Sequence, residues 1–191
     1  MIPDENIISP LPFWIKKQLH KPCWKVSKII NAVFTLNKEK KLIKNIKKQS
    51  GARRVVLLDS GSSAIELALK DIKRVNGRNE VIMPSYCCKT VADSIINCGL
   101  IPHFIDVEED FMISIGTVMP AINKRTLAII APHMYGKDGF FHFIKAVFPN
   151  IVLIEDKAMK VEGKLRGDYG ILSFNIGKQI QSVGGGALLI K

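Results

Sequence analysis

Three short segments hold side chains that could do chemistry together. The first is the turn Asp59-Ser60-Gly61-Ser62-Ser63, which follows an apolar run and opens a helical pattern. Free backbone N–H groups at a helix N-terminus, with hydroxyls beside them, make an anion site. The turn lacks the lysine of a G-x-x-x-x-G-K-[ST] loop and has no G-x-G-x-x-G, which argues against ATPase and dinucleotide readings. The second segment is Glu155-Asp156, closing the apolar run IVLI. A carboxylate there is either a helix cap or a functional charge at the ligand edge of a sheet. The third is Lys178, in SFNIGK, shortly before the three glycines at 184–186. A lone lysine in a polar connection is normally solvated. Enclosed in an apolar site its amine loses its proton more easily and becomes a nucleophile.

An anion cradle, a carboxylate and an amine, in that order, are what pyridoxal phosphate requires. Its phosphate needs a helix N-terminus, its pyridinium nitrogen an anion, and its aldehyde an amine for a Schiff base. Read alone, the serine turn serves equally as a plain capped turn.

The elements that must position these groups follow from periodicity. Apolar, β-rich runs predict strands at 54–59, 80–83, 101–107, 126–132 and 151–156, with later ones at 170–174 and 186–190. Between the first five, helical spacing predicts helices over 63–75, 90–98, 115–123 and 139–148, the first with a capping box from Ser63 to Glu66. Strands and helices alternating at this interval mean βαβ units: an α/β fold with a mostly parallel sheet, helices on both faces and three layers. Ligands of such sheets bind beyond the carboxyl ends of the strands, where LLDSGSS, VIMPSY and LIEDK lie.

Composition bounds the partners. The chain has 191 residues, 47% hydrophobic, too apolar for a disordered protein and without a run long enough to span a membrane. The opening MIPDENIISPLPFW has acids and prolines where a signal peptide needs a basic flank, so a cytoplasmic location is expected. Cys23, Cys87, Cys88 and Cys98 form no disulfide framework, and with His20, His103, His133 and His142 scattered no metal site is expected. The formal net charge of +11 is concentrated in 16–48, which carries lysines against the single acid Glu39. Leu42, Ile43 and Ile46 make 37–50 an amphipathic helix whose lysines read as a solvated face. No aromatic or arginine residues interleave them, so neither nucleic acid nor membrane is expected as a partner.

The segments DSGSSAIELAL, NEVIMPSY, GLIPHFIDVEEDFMI, RTLAIIAPHMYG, VLIEDKAMKVEG and GDYGILSFNIGKQIQSVGGGAL, in this order, resemble the DegT/StrS sugar aminotransferases, a branch of the fold-type I, aspartate aminotransferase-like superfamily. The last segment reproduces the family's GD-x4-SF-x3-K pattern, and the resemblance covers roughly residues 36–191. It implies a basic helical arm at 1–50 and a pyridoxal-phosphate-binding large domain at 51–191, with the small C-terminal domain absent. It also implies amino transfer from an amino acid such as glutamate to a nucleotide-linked keto sugar, by a homodimer or hetero-oligomer. By position, Lys178 would be the Schiff-base lysine and proton shuttle. Asp156 would pair with the pyridine nitrogen, and Ser62, Ser63 and Ser173 would hold the phosphate. Tyr86, Cys88 and Met159 would border the cofactor, with His133 and Tyr135 near its pocket.

The chain departs from the family pattern at several of these positions. Cys88 stands where an aromatic residue usually stacks on the ring, and Cys87 stands at a threonine. EDKAM replaces EDAAQ, which puts Met159 in place of a glutamine that contacts the ring oxygen and Lys157 beside Asp156. These changes and the short length imply an alternative: a non-catalytic subunit that keeps the fold and pairs with a full-length relative.

Overall fold

The computed structural model describes residues 38–74, 77–139, 141–180 and 182–191. The expected basic arm is seen only as helix α1 (Lys38–Ser50), and the rest of it lies outside the described residues. Next come β1 (Arg54–Leu58), α2 (Gly61–Arg74), β2 (Glu80–Pro84), α3 (Lys89–Asn97) and β3 (Ile101–Ile105). The short α4 (Ile115–Val118), β4 (Thr126–Pro132), α5 (Phe141–Val147), β5 (Val152–Asp156), β6 (Tyr169–Ser173) and β7 (Gly186–Ile190) complete the order.

The seven strands form one sheet in the order β1-β7-β6-β5-β4-β2-β3. All pairs are parallel except those of β7, which runs antiparallel to both β1 and β6. Interior strand β4, TLAIIAP, is buried along its whole length. Only a strand covered on both faces needs such an unbroken apolar run.

Helices cover both faces, as the alternation predicts. On one face Ala64, Ala68 and Leu69 of α2 and Ile95 of α3 pack on Met83, Ile130, Ile154 and Ile171. On the other, Phe141 and Ile144 of α5 and Val118 of α4 pack on Ile82, Ile129 and Leu153. Helix α1 adds Ile46 to a third cluster with Leu172, Phe174 and Leu189. Among the described residues no helix is long and apolar enough to cross a membrane.

Most boundaries shift by one or two residues from the sequence expectation, and two of the differences have a clear physical reason. The helix expected over 115–123 breaks after Val118 into a 3-10 turn, Met119–Ala121, because Pro120 cannot donate to the preceding turn. Helix α2 begins at Gly61, two residues early. Its cap is therefore Ser60, whose Oγ accepts from the Ser63 N–H at 3.0 Å, and Glu66 instead pairs with Lys70 at 3.1 Å.

Candidate active site

The carboxyl ends of β1, β4, β5 and β6 surround a cleft of about 270 Å³. Its first wall is the serine turn. Ser60 Oγ is 2.8 Å from Ser63 Oγ, which turns the Ser63 hydroxyl back into the cap and leaves Ser60, Gly61 and Ser62 lining the cleft. Glycine is closely fitted at one place around the turn and required at another. A Cβ on Gly61 would come within 3.2 Å of Ser173 Cβ, and one on Gly186 would collide with the carbonyl group of Ser60. The glycine run thus lets β7 pass directly against the turn, and Ser173, almost buried, borders the cleft beside it.

The second wall is the end of β5. Alternation along a strand sends neighbouring side chains to opposite faces. Asp156 enters the cleft, where its Oδ1 accepts from the Ala158 N–H at 3.0 Å. Burial pushes its carboxyl above the ordinary aspartate range, against the opposing pull of the Ala158 N–H and the charges of Lys178 and His133. Glu155, with 0% exposure, faces the other way. There it accepts from the backbone N–H groups of Arg166 and Gly167 and meets His133 Nε2 at 2.9 Å. Burial opposes its charge, but these bonds outweigh it and hold the Glu155 carboxyl below its usual range. Lys157 shares that face, with Nζ donating to the Glu162 carbonyl at 2.9 Å, and burial lowers its pKa.

The third wall is Lys178, on the loop between β6 and β7. Among the described residues lining the cleft, Lys178 is the sole lysine and Asp156 the sole acid. Lys178 and Met159 also line an adjoining hollow of about 340 Å³, with Tyr135, Ile176 and Gln179.

The remaining sequence candidates fall in different places. Cys88 lines the cleft from the N-cap of α3 and is exposed there, with Sγ 3.1 Å from Thr90 Oγ1. Cys87 lies deeper. Burial, followed by the Asp156 charge, pushes its thiol up to about 12, so it remains a neutral thiol. Tyr86 does not line the cleft. It stands at the rim, 45% exposed, with Oη 2.6 Å from Tyr135 Oη and its ring 5.0 Å from Phe111. His133 is buried, with Nδ1 2.9 Å from the Lys137 carbonyl oxygen and its ring edge-on to Phe141. Sequence reasoning named Ser60 within the serine turn and Cys87 at a threonine position without assigning either to the cofactor, and it passed over Thr90 and Asn175 as lining groups. Ser60 could have been found as the cap of the turn; nothing in the sequence singles out Thr90 or Asn175.

This strand order, with a serine turn at a helix N-terminus, a carboxylate and an amine lining one cleft, is that of the pyridoxal-phosphate-dependent aminotransferase α/β fold. Residues 25–191 match the DegT/DnrJ/EryC1/StrS aminotransferase family, and the chain belongs to that family. It is similar to a UDP-N-acetyl-3-dehydro-alpha-D-glucosamine 3-aminotransferase of Acidithiobacillus ferrooxidans, 30% identical over 74% of this chain and 41% of that protein. It is also similar to a GDP-perosamine synthase of Vibrio cholerae, 31% identical over 69% of this chain and 38% of that one. The chain thus spans about two fifths of the length of these curated relatives. Among solved structures, the fold superposes on Helicobacter pylori PseC, an aminotransferase of pseudoaminic acid biosynthesis, with a TM-score of 0.81 at 18% identity, covering 90% of this chain and 51% of that one.

Proposed function

We propose that this chain is the cofactor-binding portion of an aminotransferase that moves an amino group from an amino acid such as glutamate to a nucleotide-linked keto sugar, with pyridoxal phosphate as its cofactor. The observation that carries the reading is the convergence of the Ser60–Ser62 turn, Asp156 and Lys178 on one cleft from three separate segments of the chain. The relatives named above supply the substrate class.

The residues present suit the cofactor. The first backbone N–H groups of α2, with the Ser60, Ser62 and Ser173 hydroxyls, would hold a phosphate at the positive end of a fourteen-residue helix. Asp156 would accept from a protonated ring nitrogen, and that bond would keep its carboxyl ionised despite burial. When bound, the cofactor supplies an aldehyde that captures amines and a ring that withdraws electrons. Lys178 would hold and return a proton at Nζ, beside the hollow it shares with Met159. Cys87, Cys88 and Ile171 would keep water from the ring. Assembly as a homodimer or hetero-oligomer and a cytoplasmic location belong to the same reading.

The test is direct. The protein is incubated with pyridoxal phosphate, reduced with borohydride, digested and mapped by mass spectrometry. An adduct on the peptide containing Lys178, absent from Lys178→Arg, supports the reading. No adduct, or one on other lysines at equal yield, refutes it.

A further inference from the structure

We propose that the exposed cationic surface built around α1 is a docking surface for an anionic phospholipid membrane. The sequence shows the lysines of α1 as one face of an amphipathic helix. The tertiary structure adds cations to that face from three other segments. Along α1, Leu42, Ile46 and Ser50 form the side turned to the protein, while Lys41, Lys44 and Lys48 lie on the opposite side, with Lys38, Lys40 and Lys47 flanking them, all exposed.

Lys164 Nζ then reaches the Lys48 carbonyl at 3.4 Å, and the Leu165 N–H donates to the Ser50 carbonyl at 2.8 Å, which fixes the 164–166 loop against the end of the helix. Lys191 Nζ donates to the Arg166 carbonyl at 2.8 Å, and the Arg53 N–H to the Ile190 carbonyl at 2.9 Å. Lys48, Arg53, Arg54, Lys164, Arg166 and Lys191 are therefore exposed neighbours, continuous with the lysine side of α1. None of these cations joins an ion pair among the described residues; the acids beside them are Glu39, Glu162 and the partly exposed Asp168, which is paired with Lys145.

The chemistry favours a lipid surface over a nucleic acid. The helix carries lysines as its only cations, the adjoining segments add Arg53, Arg54 and Arg166, and none of the residues named in the patch is aromatic, so the patch offers charge without the rings that stack on bases. A leaflet needs only net charge at close range, and each basic side chain near it raises partitioning about fivefold. The apolar side of α1 is already used in the core, so the attachment is electrostatic and salt-reversible rather than inserted. Geometry permits it as well. Arg54 begins β1 and Ser60 follows its far end, so the Arg53–Arg54 end of the patch lies the length of a five-residue strand, about 17 Å, from the cleft. This inference does not depend on what the cleft binds.

Co-sedimentation of the full chain with vesicles tests it. Vesicles of phosphatidylcholine with about 30 mol% phosphatidylglycerol should carry the protein down, and vesicles of phosphatidylcholine alone should not. Raising salt to about 0.5 M should weaken partitioning at least tenfold. Replacing Lys41, Lys44 and Lys48 together by glutamine, a good helix former, should do the same while thermal melting is unchanged. Equal binding to both vesicle types, no binding to either, or full binding by the triple variant overturns the proposal. Tighter binding to a DNA duplex at matched phosphate concentration also overturns it, in favour of nucleic acid.

Discussion

Glu155 and Asp156 are neighbours at the end of β5, yet their carboxylates serve opposite faces of the sheet. Asp156 opens into the cleft and Glu155 is sealed behind it against His133, Arg166 and Gly167. Their displacements run in opposite directions, Asp156 above its usual range and Glu155 below. The pair therefore makes opposite contributions to stability as pH changes.

In the fold without cofactor, burial makes Asp156 hold its proton more tightly than it would in the unfolded chain. A carboxyl raised above its unfolded value adds stability at low pH and loses it as pH rises through the raised value. Asp156→Asn, which cannot ionise, should melt higher than the parent at neutral pH. Its affinity for pyridoxal phosphate should fall by about tenfold or more, the worth of a charge-assisted bond of about 1.5–3 kcal/mol. Thermal melts across pH, with cofactor titrations followed by fluorescence, measure both effects.

Glu155 behaves in the reverse sense. A carboxyl held below its unfolded value contributes stability above the ordinary glutamate range, and loses it as pH falls through the lowered value. Glu155→Ala strands His133 and two buried N–H groups, at a cost of about 3–5 kcal/mol. The melting temperature should drop by about 10 °C, with less pH dependence on the acid side.

Gly186 has no room for a methyl group. Gly186→Ala drives a Cβ into the Ser60 carbonyl, so either β7 or the serine turn must move. The expected loss is about 1–3 kcal/mol of stability, with weaker retention of inorganic phosphate, which calorimetry would register.

Cys88 gives little stacking area at the mouth of the cleft. Cys88→Phe should tighten pyridoxal phosphate binding by about two- to tenfold, as expected from aromatic stacking of about 0.5–1.5 kcal/mol. Unchanged affinity would mean that the ring does not lie against residue 88.

Much of the fold was legible in the residues themselves. The unbroken apolar run TLAIIAP fits a doubly covered strand, and it is an interior strand of the sheet, between β5 and β2. Ser60 was less visible, because a cap is defined by where the helix starts, and serines at 60, 62 and 63 compete for that place. Tyr86 shows the limit of reading by position. The backbone after Pro84 turns its ring outward to Tyr135 and Phe111, and no spacing rule announces that partnership.

By itself the sequence determined the alternation of strands and helices, the serine turn, and the adjacency of an acid to an apolar strand, since each depends on local periodicity and composition. The resemblance named Asp156 and Lys178, but only the tertiary structure shows Asp156 entering the cleft while Glu155 turns away, with Lys178 lining the same cleft. It also joined Lys164, Arg166 and Lys191 to the lysines of α1. Those outcomes depend on strand order and register, which pair segments more than a hundred residues apart through contacts that no local pattern encodes.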